Sequence, residues 1–191
     1  MPRGIARDHD QKRQAIRKGA AAYFAAHGFD RASMTGAARQ CGVSKALIYH
    51  YYDSKEALLY DILDTHLTEL VETARAVDPE AGLQPLVCAI LEAYEDADAE
   101  HKLQLDALAV LPDALQAPLI ALQRALVGIM SDTLAREAPD LAGTDRLRPV
   151  TMSVFGILNW FYMWHRPGKG LSRQEYSRLA TGMVLNGIRG L

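Results

Sequence analysis

Between Ser33 and Leu59 the chain reads SMTGAARQCGVSKALIYHYYDSKEALL. This stretch restricts the possible fold more than any other. Two short helical patterns flank a glycine-bearing turn of only a few residues. Ser33 is placed to cap the first helix, small Ala37 and Ala38 permit close packing, and Gly42 follows Cys41 where a helix ends in left-handed backbone. Val43 then points toward the core, and Ser44 caps a second helix running to about Tyr49. The layout is that of a helix-turn-helix. An ordinary helical hairpin shares the Gly-Val-Ser turn, so the chemistry of the second helix separates the two readings.

Leu47 and Ile48 are the apolar residues available to hold that helix against its domain, which leaves Lys45, Ala46, Tyr49 and His50 for a DNA groove. Lys45 offers charge to phosphate, and Tyr49 offers a hydroxyl donor that phosphate oxygens accept. Ala46 permits close approach, for example to a thymine methyl group. Ser33, Thr35 and Ser44 near the two helix starts complete the candidate DNA contacts. Lys55, in the first turn of the next helix and beside free backbone N–H groups, is placed for a phosphate.

Gly42, Val43, Ser44, Lys45, Leu47, Tyr49, Tyr52, Ser54, Lys55, Glu56 and Leu58 resemble the DNA-binding signature of the TetR family of transcriptional regulators. The resemblance runs from about Asp10 to Leu59. It implies a two-domain, all-α, dimeric repressor released from its operator by a small molecule, and it also implies the phosphate contact at Lys55. On this reading residues 1–52 form a three-helix DNA-binding domain. Residues 53–191 form a helical ligand-binding and dimerisation domain, for about nine helices in all. Ser33 stands where the family usually has Thr and keeps the capping hydroxyl. Ala37 stands where Ile is usual, which shrinks the core beneath the first short helix.

Charge is distributed as a DNA reader requires. The net charge is −2, yet residues 1–52 hold nine Lys/Arg against three Asp/Glu, and the remainder holds twelve against twenty. A positive end facing phosphate and a negative end facing water or ligand fit this asymmetry, although clustering on solvated helices would also produce it. Of the 191 residues 49% are apolar, enough to build a core. No run resembles an uncharged membrane span, and MPRGIARDHDQKR lacks the apolar segment of a signal peptide. The expected location is the bacterial cytoplasm or nucleoid. Cys41 and Cys88 are far apart and outside any Cys-x-x-Cys pair, so neither a disulfide framework nor a zinc ribbon is expected.

Asp8 or Asp10 is expected to cap a first helix in which Ile16, Ala20, Tyr23, Phe24 and His27 recur at helical spacing, with Gly28 as its stop. Lys12, Arg13, Arg17 and Lys18 lie on its opposite face, and Arg3 and Arg7 precede it; these are candidates for phosphate or minor-groove contact. Asp53 and Glu56 are spaced as a capping box for a long helix through Leu58, Leu59, Ile62, Leu63, Leu67, Leu70, Val71 and Ala74. That helix begins at the reader and continues into the next domain, a mechanical link between effector and DNA.

Further helices are expected from Asp78 onward, divided by Pro79, Gly82, Pro112, Pro118, Pro139, Gly143 and the 167–170 loop. One carries Leu83, Leu86, Val87, Ile90, Leu91 and Tyr94, a short one spans Leu103 to Leu111, and another carries Leu119, Leu122, Leu126, Ile129, Met130 and Thr133. Arg146 to His165 is apolar almost all round and must be buried on more than one face. Ser172 and Glu175 form a capping box for the last helix, which exposes Leu179, Met183, Val184 and Ile188 beside Gly182 and Gly187. Two such helices from each of two subunits would build a four-helix homodimer interface.

The segment NWFYMWHRPGKGLS, residues 159–172, resembles the C-terminal end of TetR-type regulators of fatty-acid, steroid and aromatic-acid catabolism, several of which respond to acyl-CoA thioesters. It implies a hydrophobic effector; Tyr94, Met130, Phe155, Asn159, Trp160, Trp164 and Arg166 are the candidate contacts, with Trp160, Phe161 and Trp164 offering apolar area, Asn159 a paired donor and acceptor, and Arg166 a fork for phosphate or carboxylate. These aromatics also suit a dimer core, and Arg166 a helix end. No cofactor, metal or enzymatic signature is expected. Two other readings remain: a small-molecule-binding helical protein without specific DNA reading, and a metal-assisted enzyme using His66 near Asp61 and Asp64 or His101 near Asp98 and Asp106.

Overall fold

A computed structural model describes residues 2–166 and 168–190, with side chains from residue 8 onward. Arg3 and Arg7, expected at the basic start, therefore lie outside the described side chains. The described residues form α-helices and short 3-10 turns without a strand; Arg166 and Lys169 make one isolated bridge. The all-α expectation is met. Ten α-helical segments are present among the described residues, two of them separated by a single residue, in line with the nine or so expected.

The chain divides into two compact units. The first comprises residues 1–66 and 99–119, and the second residues 67–98 and 120–191. In the first, α1 (Pro2–His27), α2 (Met34–Gln40) and α3 (Lys45–Tyr51) precede the start of α4 (Lys55–Ala76). Ile16, Ala20 and Phe24 of α1, Ala37 and Ala38 of α2, Ile48 of α3, and Leu58, Leu59, Ile62 and Leu63 of α4 are buried. Each large side chain of this kind stabilises the fold by roughly 1.5–3 kcal/mol when removed from water. Ala37 is fully buried, so the small residue is accommodated in a closed core.

The second unit is built on α5 (Leu83–Ala93), the later parts of α4 and α7 (Asp113–Glu137), α8 (Leu147–Asn159), α9 (Phe161–Trp164) and α10 (Arg173–Ile188). The apolar face of α5 forms the centre of its core with Leu70, Leu126, Met130, Leu134, Val154, Phe155 and Phe161. The Glu137 carboxylate accepts the Leu83 N–H at 2.7 Å and so satisfies a free donor at the start of α5. The short helix α6 (Asp98–Asp106) is followed by a 3-10 turn at Leu108–Val110, so the single segment expected over Leu103 to Leu111 is two pieces.

Several local expectations change for identifiable reasons. Neither Asp8 nor Asp10 caps α1, which begins at Pro2. Ser54, rather than Asp53, caps α4: its Oγ accepts the Ala57 N–H at 3.0 Å, which shifts the start of the helix by one residue. Pro118 lies inside α7 instead of dividing it. In the second turn it removes only one backbone hydrogen bond, while the Pro112 carbonyl accepts from both Leu115 and Gln116. By length and composition α7 could cross a membrane, with a mean hydropathy of 1.3 in its most apolar stretch, although it is not the uncharged run that the sequence was expected to lack. It nevertheless carries Gln116, Gln123 and Arg124 and buries Leu119, Leu126, Met130 and Leu134.

The segment Arg146 to His165 is not one helix. A turn at Trp160 separates α8 from α9, and it sends Phe161 into the core while Trp160 remains 62% exposed. The Ser172–Glu175 capping box of α10 forms as expected, with reciprocal bonds of 3.2 and 2.8 Å. Leu179 and Met183 on α10 are exposed, whereas Val184 and Ile188 are half-buried against the core.

Candidate nucleic-acid interface

The α2–α3 pair is held by backbone and capping bonds that leave its outer face open. The Ser33 hydroxyl accepts the Gly36 N–H at 3.1 Å, and the Ser44 hydroxyl accepts the Leu47 N–H at the same distance. Gly42 turns the chain with φ +65°, and the Val43 N–H closes the turn on the Ala38 carbonyl at 3.0 Å. Ile48 is completely buried and Leu47 half-buried, which fixes the rotation of α3. As a direct result Lys45, Ala46, Tyr49 and His50 all face solvent, together with Ser33, Thr35 and Ser44. The Lys45 ammonium stands 5.9 Å from the Tyr49 ring, so cation and phenol occupy one ridge. An exposed short helix carrying one cation, one hydroxyl, one imidazole and one methyl matches the donor, acceptor and apolar requirements of a major groove.

The basic residues outside α3 are placed differently. Arg13 makes a bidentate contact to Asp61 at 2.6 and 3.2 Å, Arg17 reaches the same carboxylate at 3.4 Å, and Lys18 pairs with Glu100 at 3.1 Å. Of the basic face of α1 expected to meet phosphate, three residues are therefore engaged inside the unit; Lys12 is exposed. The Lys55 ammonium donates to the carbonyls of Phe29, Asp30 and Ala32 at 2.8, 3.4 and 3.2 Å and stands 4.3 Å from the centre of the Phe29 ring.

Asp61 gathers Tyr52, Arg13 and Arg17 at one carboxylate, a junction that the motif reading missed. Tyr52, buried at the end of α3, donates its hydroxyl to Asp61 at 2.5 Å. Burial and that hydrogen bond push the phenol above its ordinary range and keep it protonated as a donor. The partners of Asp61 are up to 48 positions away in sequence, so no local spacing announces them. Gly36 was also missed: a Cβ there would fall on the Tyr23 hydroxyl and ring edge, so any larger residue requires Tyr23 or α2 to shift.

The seven residues expected around an effector fall into two sets. Tyr94 and Asn159 meet through a 3.1 Å hydrogen bond from the phenol to the amide oxygen. Met130 and Phe155 are buried in the same core as Tyr94, whose phenol is pushed upward by burial. Trp160 and Trp164 are exposed, and Trp164 lies edge-on to Phe161 and Tyr176 at 5.1 Å. The Arg166 guanidinium donates to the carbonyls of His165 and Met163 at 2.9 and 3.4 Å. Elsewhere in the same unit a cavity of about 200 Å³ is walled by Ala74, Val77, Leu86 and Ile129, with Arg75 and Arg136 at its edge, and includes none of those seven. His66 and His101 face each other with ring centres 6.1 Å apart. Among the described residues no group of three or more His, Cys, Asp or Glu side chains is arranged to hold a metal ion.

Comparison with known proteins settles the family. Residues 16–62 match the family described as bacterial regulatory proteins, tetR family, and residues 76–188 match the tetracyclin repressor-like C-terminal domain. The chain belongs to the TetR family. This TetR-family protein is similar to a crystal structure of a TetR-family transcriptional regulator from Bordetella parapertussis, at 34% identity and a TM-score of 0.85, covering 94% of this chain and 96% of that one. It is 27% identical over 185 residues to the HTH-type transcriptional repressor KstR2 of Rhodococcus jostii, covering 88% of this chain and 87% of that protein. It also shares the fold of AibR, solved in complex with isovaleryl coenzyme A and operator DNA, at 21% identity and a TM-score of 0.70, covering 91% of this chain and 96% of that one. Membership in this family makes the protein a transcriptional regulator and not an enzyme, with operator DNA and small-molecule effectors as the family's partners and the dimer as its working form.

Proposed function

We propose that this TetR-family regulator is a repressor whose homodimer binds a near-palindromic operator and is released by a hydrophobic effector, an acyl-CoA thioester or a related acid. The observation that carries the DNA half of this reading is the rotation of α3: Ile48 is buried, and Lys45, Ala46, Tyr49 and His50 are exposed together. Ser33, Thr35 and Ser44 add hydroxyls beside them. Residues 1–52 supply the reading function and residues 53–191 the ligand and dimer functions, with α4 starting in one compact unit and ending in the other.

The dimer is assigned to α8 and α10. Met152, Trp160, Met163, Trp164, Leu179 and Met183 are 46–62% exposed in the single chain, more apolar side chains than a solvated surface ordinarily gathers on neighbouring elements. A Cβ added at Gly156, Gly182 or Gly187 would meet nothing within 4 Å, so these positions are open to the backbone of a partner. The two readers would then sit one helical turn of DNA apart, about 34–36 Å.

The acyl-CoA assignment is supported by the AibR complex and by the character of residues 159–172. Tyr94, Met130 and Phe155 lie in one packed core, and Asn159 meets Tyr94 there in a paired polar contact, so an effector bound among them would have to open that core; Trp160, Trp164 and Arg166 lie toward the proposed dimer surface. The effector selects a conformation in which the readers no longer match adjacent grooves. A thermal-stabilisation screen of acyl-CoAs against the free acids, followed by release of bound DNA by each hit, tests this. Stabilisation and release by a thioester are expected; stabilisation by neither class removes the effector assignment while leaving DNA reading intact.

A further inference from the structure

Lys55 and Asp61 both project from the first two turns of α4 and hold opposite ends of the helix-turn-helix. Lys55 binds the segment that enters α2: its ammonium collects the carbonyls of Phe29, Asp30 and Ala32 and covers the Phe29 ring. The three carbonyls belong to the loop after α1; that of Phe29 also accepts the Ala32 N–H at 3.2 Å. Asp61 binds the residue that leaves α3. Tyr52 is the C-cap of that helix, its hydroxyl donates to Asp61 at 2.5 Å, and Arg13 and Arg17 of α1 close on the same carboxylate.

We propose that Lys55 and Asp61 are positioning residues, a two-point clamp through which α4 fixes the orientation of α3 on DNA, and that Lys55 acts on carbonyls of its own chain instead of on phosphate. This rests on the reading of α3 as the recognition helix. A lysine whose ammonium already gives its three donors to carbonyls has none left for a phosphate oxygen, so its contribution is geometric. Geometry is what distinguishes a matched site from a random one, because base edges tolerate less misplacement than phosphates do. Since the clamp joins α2 and α3 to α4, a tilt of α4 carries the reader with it as one body.

The test uses the full-length dimer, a duplex selected by the wild-type protein from a random pool, and a scrambled duplex of equal length. Lys55→Met and Asp61→Asn are compared with wild type by binding at several salt concentrations, at a temperature well below the unfolding transition of each variant. The clamp predicts that each variant loses tenfold or more for the selected duplex and less than twofold for the scrambled one. It also predicts that the slope of log affinity against log salt does not change. If Lys55 is a phosphate ligand, its variant weakens both duplexes equally and the slope falls by about 0.9. That result, unchanged affinity for the selected duplex, or failure of both variants to fold overturns the clamp. Failure of the wild-type protein to select any duplex would instead refute the reading beneath it.

Discussion

At the scale of single residues, the same side-chain type has different work according to what surrounds it. Lys45 and Lys55 both looked suited to phosphate in the sequence, but only Lys45 stands on an open face; Lys55 is enclosed by carbonyls. The difference lies in a loop more than twenty positions earlier, which no window around Lys55 contains. Arg13 and Arg17 are engaged at Asp61 for the same kind of reason. Two consequences are measurable. Gly36→Ala forces Tyr23 or α2 to move, and it should lower the stability measured in urea by about 1–3 kcal/mol. Ser44→Ala removes the acceptor for the Leu47 N–H and should cost about 1 kcal/mol by the same measurement, leaving dimerisation unchanged.

At the scale of elements, strong local signals located most helices. The helix-turn-helix, the apolar face of α5 and the Ser172–Glu175 box lie where their spacing put them, because caps and periodicity are properties of neighbouring residues. The errors came where long-range packing prevails. Pro118 is absorbed because α7 has already begun, and Trp160 turns outward because Phe161 takes the buried position against Tyr176 and His165. The apolar segment expected to be buried on more than one face therefore presents tryptophans and methionines to solvent in the single chain. Met183→Glu places a charge on that surface at a residue that is 62% exposed, so folding should be retained. Light scattering should then show a monomer, and affinity for a two-half-site duplex should fall by about 100-fold or more as the linked second reader is lost.

At the scale of the whole molecule, stability should respond to acid through the buried histidine pair. The His66 pKa is held down to about 3, first by burial and then by the charges of His101 and Lys18, against an ordinary imidazole value of 6.5. Glu100, paired with Lys18, and Gln104 complete the surroundings. Because the folded value is depressed, the unfolded chain binds the extra proton more readily. The contribution is therefore complete above about pH 6.5 and is lost progressively as pH falls toward 3. His66→Gln should flatten the fall in thermal stability across that window; an unchanged pH profile would place the acid sensitivity elsewhere.

The central claim is that the exposed face of α3 reads DNA, and one binding titration tests it most directly. Fluorescence anisotropy of the selected duplex would be followed with wild type, Lys45→Ala and Tyr49→Ala at several salt concentrations. Both variants should remain dimeric and bind more weakly, and Lys45→Ala should also reduce the salt slope by about 0.9 for the one phosphate it no longer neutralises. Binding by both variants with wild-type affinity and slope would contradict the assignment of α3 as the recognition helix.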